Sequence, residues 1–178
     1  MIEALPQLPD FVKLRVIGYE TVGHKGYVNE LEKLAATLEV AARVEFAGTI
    51  PQRKDLLALC HQSDIGLAFM PMNSNDFNLQ DMTGASNKPF DYLACGLALL
   101  VSDLPDWPAM YVAPGYGLAC DPRDPESIAS ALRWFVEHPA EMRTMGEQGR
   151  QRIRGEWNYE MQFRPVLELF ESKVIRRR

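Results

Sequence analysis

Short apolar runs alternate along the chain with segments whose apolar residues recur at helical spacing. Five of these runs have the length and composition of buried β-strands, and they lie at Val12–Ile17, Arg43–Ala47, Ile65–Met70, Ala98–Ser102 and Gly117–Cys120. Strands that alternate with helices are typical of parallel βαβ units. The pattern therefore predicts an α/β protein built on a doubly wound parallel sheet.

The helical segments are recognised by apolar residues that lie three and four positions apart. They are predicted between the first two strands around Leu31–Leu38, and then at Asp55–Cys60, Lys88–Cys95, Ile128–Val136 and Phe163–Val174. Gly96 follows the third of these segments, and glycine is well suited to the position after a helix end. The turn at 124–127 starts the fourth helix.

Length and composition fit one soluble domain. The chain has 178 residues, of which 47% are hydrophobic and 24% are charged. Its net charge of -5 argues against nucleic acid as a partner. Its three cysteines are far apart and form no zinc-binding spacing, so we expect reduced, mostly buried thiols. Neither a signal peptide nor an apolar run of about 20 residues is present, which predicts a cytoplasmic protein.

Ligands of doubly wound sheets bind outside the carboxyl ends of the strands. Glycine and small polar residues collect at those ends, in 18–26, 48–51, 71–87 and 102–107. The glycines Gly18, Gly23 and Gly26 match neither a dinucleotide-binding nor a P-loop spacing, and a flexible loop is the simpler interpretation. His24 lies in the same loop and could reach a phosphate. The polar stretch 72–87 is either a binding loop or a surface insertion.

The helix start near Asn87 is the sharpest local feature. Ser86 or Asn87 is a natural N-cap, and Pro89 fits the first turn. The free N–H groups and the dipole of such a helix start can bind a diphosphate. Asp91 lies one turn further on and could accept hydrogen bonds from sugar hydroxyls. The alternative is an ordinary capped helix. No carboxylate cluster suggests a metal site, and no Ser/His/Asp arrangement is convincing.

The segments Asn87–Gly96 and Leu99–Asp103 resemble the donor-binding helix and strand of the retaining, GT-B-fold glycosyltransferases of family four. Further similarities follow in the family's order at Val16–Gly18, Val44–Gly48, Gly117–Ile128 and Trp157–Glu160. The resemblance implies that residues 1–178 form a single Rossmann-like, nucleotide-sugar-binding domain, the C-terminal half of a GT-B fold. Its final helix, about 159–175, would pack back toward an N-terminal GT-B domain.

The resemblance also implies an activity: transfer of a sugar, with retention, from a nucleotide-diphosphate donor to a glycan or lipid-linked acceptor, without a metal or cofactor. A UDP-sugar is the first expectation and a GDP-sugar the second. The acidic residue at position 91 would hold the ribose, and the turn after Gly48 would flank the base. The expected donor-binding residues are Gly18, Gly48, Thr49, Ile50, Thr83, Gly84, Ala85, Ser86, Asn87, Lys88 and Asp91. No catalytic residue is assigned.

Two departures from the family pattern bear on function. The family has two glutamates eight positions apart, whereas this chain has Thr83 and the shorter Asp91. The family's domain also opens with a central strand and a loop carrying Arg and Lys, and this chain starts inside the following helix. We therefore expect a gap in the middle of the sheet, and a fragment or one half of a split enzyme that works with an N-terminal domain or partner.

Two alternative functions stay open. A non-catalytic subunit that binds nucleotide sugars, or that acts as a scaffold, is favoured by Thr83 and by the missing front end. Another doubly wound nucleotide protein, such as a dehydrogenase, is disfavoured because no GxGxxG opens a βαβ unit. The tail Arg176–Arg178 could touch anionic lipid at the inner face of a membrane, although a solvated helix end explains it as well.

Overall fold

A computed structural model describes residues 1–20, 23–73 and 82–175, and it describes side chains as far as residue 170. The strands of this part of the chain are β1 Leu14–Ile17, β2 Val44–Gly48, β3 Ile65–Ala68, β4 Ala98–Ser102 and β5 Gly117–Cys120. The helices are α1 Tyr27–Thr37, α2 Arg53–Cys60, α3 Asn87–Ala94, α4 Pro125–Glu137, α5 Pro139–Gly155 and α6 Tyr159–Ile175. Short 3-10 turns lie at Ile2–Gln7 and Ala41–Arg43, and a π-helical turn lies at Pro108–Val112.

All strand pairs of the described chain are parallel, as the sequence predicts. β1 pairs with β2, and β4 lies between β3 and β5. The described residues thus form two sheets, one of β1 and β2 and one with the order β3-β4-β5. A gap lined by residues of β1 and β3 separates them. The predicted α/β class is confirmed, and the gap lies where the resemblance implied it.

Strand β4 is the centre of the fold because all five of its residues are buried. Ala98 and Leu100 belong to one core cluster, together with the first 3-10 turn and α4. Leu99 and Val101 belong to a second cluster, which includes Leu93 of α3. Successive side chains of a strand point to opposite faces, so this continuous apolar run is covered by a layer on each side.

Several element ends differ from the sequence prediction, and hydrogen bonds explain two of them. The first strand begins at Leu14 instead of Val12, because the Val12 N–H bonds to the Pro9 carbonyl and the Arg43 guanidinium donates to the Val12 carbonyl. The third strand ends at Ala68 instead of Met70. Met70 instead bonds through both backbone groups to the Ser102 hydroxyl.

Helix α5 was not predicted. Its sequence is rich in charged residues and contains Gly146 and Gly149, which weaken both the apolar pattern and the helix propensity. The structure shows why glycine fits here. A Cβ on Gly146 would lie 2.0 Å from the Gly96 carbonyl oxygen, and one on Gly149 would lie 2.3 Å from Leu93. The two glycines therefore let α5 pack closely against the end of α3.

The last helix, α6, is the most exposed. Large apolar side chains along it are open to solvent, among them Tyr159, Phe163, Leu167 and Phe170. That this helix packs on an N-terminal domain stays a prediction. Across the ranges that the structure covers, no helix combines the length and apolar character needed to cross a membrane.

Substitution of Gly146 by alanine tests the contact between α5 and α3. We expect a loss of about 1–3 kcal/mol in the free energy of unfolding, because the added methyl group collides with backbone and forces the helices apart. The matched control is Gly155→Ala in the same helix, where a Cβ meets nothing within 4 Å. That control should change the stability by less than about 1 kcal/mol. Urea unfolding of both variants gives the comparison, and equal effects would contradict the packing.

Candidate functional site

Two predicted groups of site residues lie at the carboxyl edge of the sheet. The first is built where β1 and β2 end. The Gly18 N–H donates to the Gly48 carbonyl over 3.0 Å, and both glycines have positive φ, +154° and +65°. The chain then continues through exposed Thr49 and half-buried Ile50 into α2. These backbone turns leave open space above Gly18 and Gly48.

The second group surrounds the start of α3. Ser86 is the N-cap residue and is buried, but its side chain makes no capping hydrogen bond to the helix. A tight turn precedes it, because the amides of Ala85 and Ser86 both donate to the Met82 carbonyl, with Gly84 at φ +74°. Lys88 is exposed in the first turn. Within the part of the chain that the structure describes, no side chain caps the first amides of this helix, and Lys88 places a cation beside them.

Aromatic side chains pack around this turn and the start of α3. Trp157, in the connection between α5 and α6, meets the Phe90 ring edge-on at 5.6 Å and the Tyr111 ring at 6.3 Å. Tyr111 is fully buried and packs against Trp107. Burial raises the pKa of the Tyr111 hydroxyl, and the neighbouring Gly84 amide opposes that shift. This cluster fixes the position of the α3 start through contacts that the sequence pattern did not reveal.

Arg53 connects the two groups. It opens α2, and its guanidinium donates to both carboxylate oxygens of Asp91 in α3, at 3.1 Å and 2.5 Å. The Asp91 side chain is 19% exposed, whereas that of Arg53 is 67% exposed. The carboxylate hydrogen bond and charge raise the pKa of the Arg53 guanidinium. Sequence reasoning missed Arg53, and no local pattern could have found it, because its partner lies 38 residues away.

The glycine-rich loop before α1 has a different arrangement. The Glu20 carboxylate accepts hydrogen bonds from the amides of Gly26 and Val28, at 2.9 Å and 2.7 Å, and these bonds lower the pKa of Glu20. A carboxylate of the chain thus already occupies the α1 N-terminus. At the α3 start, by contrast, no carboxylate among residues 1–20, 23–73 and 82–170 accepts from the first amides, so of the two candidate anion sites it is the better suited to a ligand phosphate.

Ser102 fixes the relation between the two strand ends nearest the site. Its hydroxyl donates to the Met70 carbonyl and accepts from the Met70 amide, each over 2.8 Å, and the residue is fully buried. The chain leaving β3 toward α3 is therefore held against the end of β4. Residues 74–81, the middle of the polar stretch singled out from the sequence, lie outside the described ranges.

Three further site residues predicted from the sequence lie near the start of α3. Lys88 and Asp91 line a cavity that extends between β1 and β3, and Thr83 is half-buried in the turn before α3.

Cys60 and Cys120 are buried and Cys95 is half-buried, and all three are free. Burial raises the pKa of Cys95 to about 11 and that of Cys120 to about 12. In the described residues no group of three or more His, Cys, Asp or Glu side chains could hold a metal ion.

Replacement of Asp91 by alanine should leave the fold nearly intact. The ion pair is open to solvent on its arginine side, and such pairs contribute at most about 1 kcal/mol. A double-mutant cycle with Arg53→Ala should give a coupling energy of the same size by urea unfolding. A loss above about 3 kcal/mol for Asp91→Ala alone would instead give Asp91 a structural role.

Comparison with known proteins agrees with this geometry. The family model for glycosyl transferases group 1 matches residues 1–152. One curated relative is a GDP-mannose-dependent monoacylated alpha-(1-6)-phosphatidylinositol monomannoside mannosyltransferase of Corynebacterium glutamicum. It is 25% identical to this chain over 177 residues, which are 97% of this chain and 43% of that protein.

Two solved structures show the same fold. Anabaena Alr3699/HepE in complex with UDP-glucose superimposes with a TM-score of 0.77 at 18% identity, over 96% of this chain and 44% of that one. The C-terminal domain of the group 1 family protein LpcC from Francisella tularensis superimposes with a TM-score of 0.71 at 17% identity. The match covers 89% of this chain and 77% of that one. The chain thus spans less than half of the mannosyltransferase and of HepE. It belongs to the glycosyl transferases group 1 family and has the fold of a GT-B C-terminal domain.

Proposed function

We propose that this chain is the donor-binding domain of an enzyme that transfers a sugar from a nucleotide-diphosphate sugar, with retention, to a glycan or lipid-linked acceptor. One observation carries the proposal. At the carboxyl edge of the sheet, the start of α3 receives no capping side chain from the described residues and lies next to Lys88, one turn before the Arg53–Asp91 pair. The arrangement offers separate places for a diphosphate and for a ribose.

The diphosphate would lie at the start of α3. Backbone N–H groups and the positive end of the helix dipole favour a phosphate there, and the Lys88 ammonium adds a full charge. The leaving group of sugar transfer is a nucleoside diphosphate, so its charge grows as the bond breaks. Donors that are already in place stabilise that charge without reorganisation. We propose that these groups of the chain serve this purpose without a metal or other cofactor.

The ribose would lie against Asp91. An ionised carboxylate has roughly four lone-pair positions, and two of them face the Arg53 guanidinium. The other two can accept the hydroxyl groups of a ribose. Arg53 then acts as a positioning residue, because it holds the shorter aspartate side chain in one orientation.

The base would lie against the turn formed by Gly48, Thr49 and Ile50. A UDP-sugar is our first proposal and a GDP-sugar the second. The mannosyltransferase is named for GDP-mannose and the HepE structure contains UDP-glucose, so both choices have support among similar proteins. We further propose a cytoplasmic enzyme that works with an N-terminal GT-B domain, or a split partner, at the inner face of a membrane. The tail at 176–178 lies outside the described residues.

Thr83 favours a second candidate, a subunit that binds nucleotide sugars without transferring them. Its hydroxyl can bond to a sugar but cannot supply a carboxylate, and it lies in the turn that leads into the proposed donor site. The test is donor hydrolysis by this chain together with its N-terminal domain or partner. Slow release of free sugar supports the transferase, whereas tight donor binding without any release supports the binding subunit.

Nucleotide binding by Asp91→Ala tests the proposed ribose contact. We expect a tenfold to hundredfold loss of affinity for UDP or GDP, since a hydrogen bond to a charged group contributes about 1.5–3 kcal/mol. Isothermal titration calorimetry with the nucleoside diphosphate and with its 2′,3′-dideoxy analogue separates the causes. The variant and the parent chain should bind the dideoxy analogue equally.

Glu126→Gln is the matched control. It removes a carboxylate that forms a 2.6 Å ion pair with Arg133 in α4, outside the proposed site. Its affinity for the nucleotide should be unchanged. If Asp91→Ala binds the natural diphosphate as tightly as the parent chain does, the ribose site lies elsewhere.

A further inference from the structure

Tyr111 has a buried hydroxyl group that is not hydrogen-bonded. Its side chain is 0% exposed, and its oxygen finds no hydrogen-bond partner among the described residues. The amide of Gly84, in the turn before α3, lies close enough to counteract the effect of burial on the hydroxyl pKa, but the two groups do not complete a hydrogen bond. A buried polar group without a partner destabilises the fold, so its presence needs an explanation.

Packing does not explain this hydroxyl group. The ring of Tyr111 packs against Trp107, with ring centroids 5.5 Å apart, and edge-on against Trp157 at 6.3 Å. Both contacts need only the aromatic ring, and phenylalanine would supply that ring without an unpaired oxygen. The hydroxyl therefore indicates a second arrangement of the neighbouring chain, in which its hydrogen bond is made.

Gly84, rather than Tyr111, is the side of this pair that can move. The two tryptophan rings hold Tyr111 in place, whereas Gly84 is exposed and has φ +74°, a backbone conformation that glycine adopts without steric cost. Within the described chain, a Cβ on Gly84 would meet only the flexible side chain of Met110, at 3.5 Å. A small displacement of Gly84 toward the Tyr111 oxygen therefore meets little resistance.

The turn that contains Gly84 is one hydrogen-bonded unit beside the start of α3. The amides of Ala85 and Ser86 donate to the Met82 carbonyl at 3.0 Å and 3.1 Å, and Ser86 is the N-cap residue of the helix. The helix itself is held by the edge-on contact of Phe90 with Trp157. The displacement of Gly84 can therefore stay within the turn while α3 keeps its position.

A ligand at the start of α3 would lie against the outer side of this turn. In the proposed function that ligand is a diphosphate next to Ser86, the residue that ends the turn. Contact with the ligand would press the turn toward Tyr111 and bring the Gly84 N–H onto the hydroxyl oxygen. A hydrogen bond that forms only in the bound state adds to the affinity, because a ligand shifts an equilibrium by its differential interaction with the two states.

We propose that Tyr111 is a positioning residue of the donor site, whose hydroxyl accepts a hydrogen bond from the Gly84 amide when a nucleoside diphosphate occupies the start of α3. This bond holds the turn 82–86 against the ligand. Tyr111 acts through Gly84 and touches no ligand itself, since it is fully buried. The inference rests on the proposed function and extends it to a residue outside the contact surface.

Tyr111→Phe in the 178-residue chain is the first test, because it removes the hydroxyl and keeps the ring. Isothermal titration calorimetry with UDP and with GDP should show about a threefold to tenfold weaker binding of the nucleotide that the parent chain prefers, the effect of one hydrogen bond. The melting temperature of the free variant should be no lower than that of the parent, since the lost hydroxyl has no partner there.

Tyr116→Phe is the matched control. Tyr116 is also buried, and it meets the same Trp157 ring edge-on at 5.8 Å, but it lies just before β5 and not beside the turn. Loss of its hydroxyl should leave nucleotide affinity unchanged. An equal loss of affinity in both variants would assign the effect to the aromatic cluster as a whole and overturn the role of Tyr111.

The Gly84 amide proton gives a direct readout of the proposed bond. In a ¹H–¹⁵N correlation spectrum of the parent chain, the preferred nucleotide should move this signal downfield, because a hydrogen bond deshields the donated proton. In Tyr111→Phe the downfield shift should be absent. A purely structural role for the hydroxyl would not produce this ligand-dependent difference.

The remaining outcomes separate this inference from the proposed function. If the parent chain binds neither UDP nor GDP, both are overturned. If the parent and Tyr111→Phe bind equally and show the same Gly84 shift, only the role of Tyr111 is overturned and the donor site stands. A variant that loses melting temperature along with affinity would show that the hydroxyl already has a partner in the free chain, which also overturns the inference.

Discussion

The burial of β4 on both faces, with paired strands on both edges, is the constraint on which the rest of the structure depends. Its five residues contribute to both core clusters, and its last residue, Ser102, bonds to the backbone of Met70. The position of β4 therefore fixes the point at which the chain leaves β3. The proposed donor site thus lies beside the most deeply buried strand of the described chain.

The site itself depends on a contact between two helices that the sheet brings together. Arg53 at the start of α2 and Asp91 in α3 are joined by a bidentate ion pair. The pair adds little to stability, since its arginine is largely exposed. Its effect is to orient the Asp91 carboxylate, and in the proposed function the lone pairs that Arg53 does not use accept the ribose hydroxyl groups. The Glu20 carboxylate at the start of α1 has the opposite effect, because it occupies amides that a phosphate would otherwise use.

The gap between β1 and β3 lies next to the proposed donor site. The same cavity that separates the two partial sheets is lined by Lys88 and Asp91. The proposed diphosphate and ribose contacts therefore lie at the boundary between the two sheets.

The sequence by itself determined the α/β class, five helices with approximate ends, and the exact bounds of β4 and β5. Burial on both faces of a strand produces a continuous apolar run, which is why these two strands were located so closely. It also located the start of α3, since Ser86 and Pro89 favour one helix start. It missed α5, whose glycines are explained only by their contact with Gly96 and Leu93. The tertiary structure alone decided that Arg53 meets Asp91, that Glu20 caps α1, and that Trp157 packs on Phe90. The local sequence around these residues contains no pattern that predicts the contacts. Tertiary packing, rather than local propensity, brings the residues together.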